Sequence, residues 1–371
     1  MQIGYFFLTI LSLIVFEITS FASNLKDTMS FGFDTYSDNA DIQVYSPTFS
    51  LFKKVSRQWM LGFKMRVDAI TAASIRNGAN VTHVDTVTGA SKGQNPFNDV
   101  RYAPTLIATY DDGENTLSFG GYYSTENDYE GRSVFANYVR QLNEQNTALG
   151  IGISQSFDKW VPIFKRALPT SKRAERKIDF SINQLITPRF SIQGVFSYIY
   201  STGFLASPYH YVLQSDIAKF ENYPNKRTGE AFAFKGVYLL NRDTSMNFSY
   251  RYYTDDWGIS SHTFNVEEYH DFSSKFTSGL RLRYYTQTKS NFIKGIGDYK
   301  ANDTYFAIDY RMSAFDSYTI GIPFIYKMKG GDKLTASIDF YKTTNDVYMK
   351  SWYGVKSMNA LFTTLSYEFS Y

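Results

Sequence analysis

The 371-residue chain has no cysteine. Disulfide staples, thiolate metal sites and a cysteine nucleophile are therefore excluded. Histidine is scarce: His83, His210, His262 and His270 are the only four, and no HxH or HExxH spacing joins them into a zinc set. A glycine-rich phosphate loop and a haem-attachment motif are lacking too, so no cofactor and no metal site is expected. Charge of one sign is not in excess. Lys and Arg number 38 against 35 Asp and Glu, a net charge of +3, with no basic block to suit nucleic acid and no acidic tail. Past residue 23 no apolar run is long enough for a spanning helix. A mean hydropathy of −0.31 is too polar for a helical membrane protein.

Aromatic rings are plentiful. There are 31 Tyr and 32 Phe against 4 Trp, and aromatics make up 18% of the chain. Half-apolar, half-polar rings suit the two girdles where a membrane barrel meets the headgroups. The amino terminus adds an export signal. An apolar run from Tyr5 to Phe16 precedes the small residues Ser20 and Ala22, which fit a cut after Ala22. Residues 1–22 are read as a cleavable signal peptide and 24–371 as the barrel. Met1 to Gly4 carries no Lys or Arg, which departs from the usual signal. A short membrane anchor is the alternative, against which the run is too short to span comfortably.

The rest of the chain alternates with period two, as strands do. Met246, Phe248, Tyr250 and Tyr252 form one face and Asn247, Ser249, Arg251 and Tyr253 the other. Leu280, Leu282 and Tyr284 oppose Arg281, Arg283 and Tyr285. Leu334, Ala336, Ile338 and Phe340 oppose Thr335, Ser337, Asp339 and Tyr341. Similar alternation runs through 61–68, 117–123, 177–183 and 304–311. A helical spacing would mix apolar with charged residues in each. One face meets lipid and the other a lumen. The last strand alternates through Leu361, Thr363, Leu365, Tyr367, Phe369 and Tyr371, ending on an aromatic residue. That ending is similar to the signal by which outer-membrane barrels address the barrel-assembly machinery.

Strands are expected near 28–37, 42–53, 57–70, 101–111, 115–124, 131–142, 146–157, 176–186, 189–200, 230–240, 244–254, 258–269, 274–286, 303–311, 316–327, 332–341 and 358–371. The long gaps 71–99, 158–175, 201–229 and 287–302 each follow an odd-numbered strand, while the gaps after even strands are tight. Long loops at one end and short turns at the other is the barrel pattern. The gap 342–357 breaks it by following an even strand, and seventeen is odd. A strand is missed or split, with the fault placed between 287 and 357. Pro323 inside a strand points to the same region. The expectation is an all-β transmembrane antiparallel barrel of about sixteen strands, with fourteen to eighteen as the range. A soluble β-sandwich is the rival fold; it would need fewer large aromatics.

Four segments carry a resemblance. They are Val67-Asp68-Ala69-Ile70-Thr71-Ala72-Ala73-Ser74, then Tyr250-Arg251-Tyr252-Tyr253-Thr254-Asp255-Asp256-Trp257-Gly258-Ile259 followed by Ser261-His262-Thr263, then Arg283-Tyr284-Tyr285-Thr286-Gln287, and Asp309-Tyr310-Arg311-Met312-Ser313. In this order they resemble the bacterial domain of unknown function 3570 family over most of the mature chain. The resemblance implies an uncharacterised outer-membrane barrel. It implies no substrate and no catalytic residue.

Lys64, Arg66, Asp68, Asp179, Arg251, Arg281, Arg283, Asp309, Arg311 and Asp339 fall on polar strand faces and are candidates for a charged lumen. Such a wall either steers a charged solute or pairs internally and plugs the barrel. Asp255, Asp256 and Trp257 sit at an outer turn. Two adjacent carboxylates suit part of a calcium site, but plain turn chemistry with Gly258 explains them as well. Asp68, Thr71 and Ser74 stand where a strand enters the longest loop. His83 and Asp85 share that loop. His262 follows Ser260 and Ser261, too close in one strand to make a triad alone. Residues 158–177 mix Lys159, Lys165, Arg166, Lys172, Arg173, Arg176 and Lys177 with Trp160, Ile163, Phe164 and Leu168. That stretch suits anionic lipopolysaccharide or a short amphipathic segment, and equally a solvated loop.

Three functions remain open at this stage. The favoured one is a channel or transport barrel for a small solute in the outer membrane of a Gram-negative cell. The second is a scaffold barrel that holds a periplasmic or surface partner. An outer-membrane hydrolase is the least supported, and the chain is read as no enzyme.

Overall fold

The computed structural model describes residues 26–72, 97–161, 170–207, 211–215, 217–328 and 330–371. The strands are β1 (Thr28–Asp38), β2 (Ile42–Lys54), β3 (Trp59–Ala72), β4 (Phe97–Asp111), β5 (Asn115–Thr125), β6 (Tyr129–Leu142), β7 (Thr147–Trp160), β8 (Ser171–Thr187), β9 (Phe190–Gly203), β10 (Tyr211–Gln214), β11 (Ile217–Phe220), β12 (Lys226–Leu239), β13 (Thr244–Asp255), β14 (Ser260–Asp271), β15 (Phe276–Gln287), β16 (Phe315–Lys327), β17 (Lys333–Thr343) and β18 (Asn359–Ser370). One helix, α1 (Val347–Tyr353), and a single 3-10 turn (Tyr310–Met312) complete the described elements. The signal peptide, His83, Asp85, Ser74 and His210 lie outside the described residues.

Sixteen of the strands close into one barrel. Each pairs antiparallel with its chain neighbour, β9 pairs with β12, and β18 returns to β1. Closure leaves no unpaired edge, which a membrane-spanning sheet requires. The small β10–β11 hairpin stands apart. Every barrel strand has at least eleven residues, against the about 9–11 that a tilted strand needs to cross a bilayer.

The surplus strand of the sequence scheme is 303–311, so the fault was one strand too many. There the alternation of Tyr305, Phe306, Ala307 and Ile308 does not make a ladder. Tyr299 Oη donates to the Ala307 carbonyl at 2.9 Å and accepts from the Ala307 amide at 3.0 Å. Asp309 caps the 3-10 turn through the Arg311 amide at 2.9 Å. Side chains satisfy the backbone groups that a neighbouring strand would otherwise take. With that segment removed, 344–358 follows an odd barrel strand. Every long connection, 73–96, 161–170, 204–225, 288–314 and 344–358, then leaves from the same end.

Pro323 belongs to a strand after all. Its partner ladder with β15 lapses between Ser278↔Phe324 and Arg281↔Gly321, while pairing with β17 continues through Pro323↔Ser337. Ser278 Oγ donates to the Pro323 carbonyl at 2.9 Å in the gap. Pro47 and Pro104 interrupt the β2–β3 and β4–β5 ladders in the same way. A residue without an N–H is tolerated where only one of its two ladders is given up.

The faces divide as membrane physics demands. Phe31, Leu106, Ile153, Phe180, Phe232, Phe264, Leu282, Ile320, Phe340 and Leu365 point outward and are exposed. The alternate positions point inward and are mostly Ser, Thr, Asp, Arg and Tyr. Among the described residues the barrel has no apolar centre. The described apolar cores lie at the long-loop end. Leu205, Ala206, Tyr223, Trp257, Ile259, Ile293, Ala307 and Met312 form one, and Val212, Tyr299, Phe306 and Ile308 another. Tyr348 of α1 packs against both. The hairpin joins this cap through the bridges Gln214↔Tyr299 and Asn222↔Phe306.

Candidate functional site

The inner wall is built of charges at alternate strand positions. On β1–β4 the carboxylate of Asp68 is fully buried. It accepts from Arg66 Nε at 2.8 Å, Arg101 Nε at 2.6 Å and Ser46 Oγ at 2.5 Å. Arg66 Nη1 reaches on to Asp34 at 2.8 Å. Lys64 lies on the same wall with Nζ over the Phe52 ring at 5.4 Å. On β7–β9, Asp158 pairs with Arg173, whose guanidinium covers Trp160 at 5.2 Å. Asp179 takes Lys177 at 2.9 Å and Ser197 Oγ at 2.5 Å.

A third cluster spans β14–β17. Arg281 Nε bonds Glu267 at 3.0 Å and Nη1 bonds Asp339 at 2.9 Å. The bridge crosses β16 at Gly321, where an added Cβ would sit 1.9 Å from Asp339 Oδ1. Glycine is needed there because the ion pair occupies the side-chain space. Tyr269 Oη donates to Glu267 and Ser337 Oγ to Asp339, both at 3.0 Å. Half-buried charges tied this fully hold their geometry, because freeing one partner would leave the other without a counter-charge.

Two arginines break the pattern. Arg251 and Arg283 point inward, and among the described residues neither has a carboxylate partner. The Tyr253 ring lies 5.4 Å from the guanidinium carbon of Arg251. Their charges lie close enough to act on each other, with Tyr285 and Tyr341 beside Arg283. Arg283 is exposed although it faces the interior. An arginine that is walled in yet wetted marks a water-filled stretch of lumen.

The cap packs around Trp257 at the long-loop end. Trp257 meets Tyr223 at 5.6 Å and Phe292 at 5.3 Å, and Arg227 lies 4.6 Å over its ring. Glu221 is buried at its inner side. It accepts from the Ile308 amide at 2.6 Å, the Asp309 amide at 2.9 Å and Tyr223 Oη at 2.9 Å. Burial pushes its carboxyl up to about 7 despite those bonds.

The sequence candidates therefore divide. Lys64, Arg66, Asp68, Asp179, Arg251, Arg281, Arg283 and Asp339 stand on the inward face of their strands. Asp309 and Arg311 do not stand on a strand. They pair with each other at 2.8 Å beside the 3-10 turn of the cap, so their place in a strand-lined wall is corrected. Asp255 ends β13 with Oδ2 on Arg227 Nε at 2.9 Å and Oδ1 on the amides of Trp257 and Ile259, each at 3.0 Å. Asp256 accepts from the Thr228 amide at 3.0 Å. This is turn chemistry around Gly258, whose φ is +86°. His262 faces outward and shares a 2.8 Å hydrogen bond with Tyr250 Oη. Lys172, Arg173, Arg176 and Lys177 belong to β8 rather than to a loop. The sequence reading missed Arg101, the Asp158–Arg173 pair and Glu221. Arg101 had a signal, since it starts an alternation with Ala103 and Thr105. Glu221 had none, because the Ile308 amide that it accepts from lies 87 residues on.

An even-stranded closed antiparallel barrel, apolar outside and charged inside, is a β-barrel of outer-membrane type. A family model matches residues 17–369, and the chain belongs to that family, described as protein of unknown function (DUF3570). No curated protein sequence matches the chain. Among solved structures it is similar to a bacterial polysaccharide outer membrane secretin, with TM-score 0.53 and 7% identity over 94% of this chain and 99% of that one. It is also similar to a ferric enterobactin receptor mutant from Pseudomonas aeruginosa in complex with enterobactin, with TM-score 0.47 and 10% identity over 88% of this chain and 55% of that one. The siderophore receptor PirA from the same organism gives TM-score 0.46 and 10% identity over 87% of this chain and 57% of that one. The chain thus spans little more than half the length of those receptors.

Proposed function

We propose that this barrel sits in the outer membrane of a Gram-negative bacterium, long-loop end outward, and passes small anionic solutes through its lumen. The observation that carries this reading is the wetted Arg283, which has no carboxylate partner among the described residues, beside Arg251. An arginine without a carboxylate in a narrow aqueous lumen draws anions and repels cations. The paired clusters on either side act as rigid wall. In this reading residues 1–22 are the export signal and β18 addresses the assembly machinery. The basic residues around β7 and β8 meet lipopolysaccharide. His262, turned outward onto Tyr250, gives no support to a hydrolase.

The test is single-channel conductance of the refolded full chain in a planar bilayer. Anion-preferring openings are expected, and the double variant Arg251→Glu/Arg283→Glu should invert the preference. Unchanged selectivity in folded variant protein rejects the reading. The packed cap supports a second reading, a plugged scaffold that works through a partner. Silence over many insertions of folded protein would favour it.

A further inference from the structure

Three carboxylates that the wall and the cap do not use converge at the long-loop end. Asp99 lies near the start of β4. Glu126 and Asp128 flank Asn127 in the turn between β5 and β6. One carboxylate oxygen from each lies within 4.8 Å of the other two. We infer that Asp99, Glu126 and Asp128 bind a divalent cation of the calcium type.

Proximity alone would mean little. The second observation is what their oxygens do. Asp128 is 3% exposed, and neither of its carboxylate oxygens has a hydrogen-bond partner. Asp99, also 3% exposed, is half used. Its Oδ1 accepts from the Val100 amide and from Asn127 Nδ2, each at 2.8 Å, which leaves Oδ2 orphaned. Buried carboxylate oxygens rarely lack partners, because desolvation is then uncompensated. A cation supplies that partner. The Asn127 amide fixes Asp99 from within the turn that presents the other two acids, so the three are held in one place before an ion arrives.

The surrounding charge points the same way. Arg101 acts on Glu126, but it is already committed to Asp68. Among the described residues, Asp34, Asp68, Asp99, Glu126 and Asp128 outnumber the neighbouring Arg66 and Arg101 by three charges. The chemistry selects its class. All donors are hard oxygens, with no imidazole or thiolate to favour zinc. Calcium–oxygen distances of about 2.3–2.6 Å place opposite ligands roughly 5 Å apart, which the cluster spans without rearrangement. Water completes the six to eight ligands.

The test is terbium luminescence on the full chain refolded in detergent. Terbium stands in for calcium. Trp160 is the antenna: its ring lies 5.4 Å from that of Tyr129, and the next amide, Val161, donates to the Asp128 carbonyl at 2.8 Å. Wild type should give a sensitised signal that excess calcium abolishes. Asp128→Asn should lose it, whereas Asp112→Asn at the short-turn end should keep it. Calcium should also raise the unfolding temperature of wild type and not of Asp128→Asn. Asp128→Asn removes a repelling charge and is expected to fold; should it fail, Glu126→Gln serves the same comparison. No signal from wild type, or equal signals from wild type and the folded variant, overturns the site.

Discussion

Two stretches of the inner wall solve the same problem differently. On β1–β4 the arginines share one carboxylate: the buried Arg101 and the half-buried Arg66 both hold Asp68, which is 0% exposed. On β13–β15, Arg281 is paired in the same manner, but Arg251 and Arg283 are not. A charge inside a barrel is stable if it has a counter-charge or if it has water. The first stretch uses the counter-charge and the second uses water. The contrast separates what holds the barrel together from what a solute would meet.

The largest break in that contrast should come from Asp68→Asn. It deprives Arg66 and Arg101 of the carboxylate they share, and it should cost about 3–5 kcal/mol, as for other buried pairs that lose one partner. Urea unfolding of the refolded barrel reads this, and a cost below about 1 kcal/mol would mean that the cluster is hydrated after all. Glu221 sharpens the comparison from the cap, where a buried acid accepts from two backbone amides and a hydroxyl, with the Arg311 charge also acting on it. Its carboxyl rises from 4.5 to about 7 in the folded cap. The folded form therefore holds the proton more tightly. The stability this gives is complete below about pH 4.5 and is lost as pH rises through about 7. Glu221→Gln should abolish the loss, roughly 3 kcal/mol at about pH 8. The readout is hydrogen exchange at the Ile308 and Asp309 amides, corrected for intrinsic rate, which should quicken with pH in wild type only. The smallest effect belongs to Arg283→Gln. An arginine stabilised by water should change unfolding free energy by less than about 0.5 kcal/mol, and a loss as large as that of Asp68→Asn would show that Arg283 is part of the paired framework.

Much of the fold was legible because a barrel strand writes its two surroundings into alternate residues. Leu280-Arg281-Leu282-Arg283 needs no tertiary information to place its arginines away from lipid. The one false strand, 303–311, shows the limit. Phe306, Ile308 and Tyr310 alternate with Tyr305, Ala307, Asp309 and Arg311 just as strand residues do. What removes them from the wall is Tyr299 and Glu221 taking up their backbone groups, and those partners are set by loop packing. The site was legible only in part for the same reason. Alternation placed Arg251 and Arg283 inside, but it could not say that Arg281 alone would find acids. Nor could it bring Asp99 to Glu126 and Asp128, which lie on a different turn.

The sequence by itself determined the class of fold, the even strand number within one, the direction of each strand's polar face and the end from which the long loops leave. Each follows from local periodicity and spacing, since lipid and lumen act on every residue separately. Tertiary structure alone decided which inward charges pair, which stay wet, how the loops pack into a cap and where three carboxylates meet. Those depend on register between strands and on distances across the barrel, to which a period of two is blind.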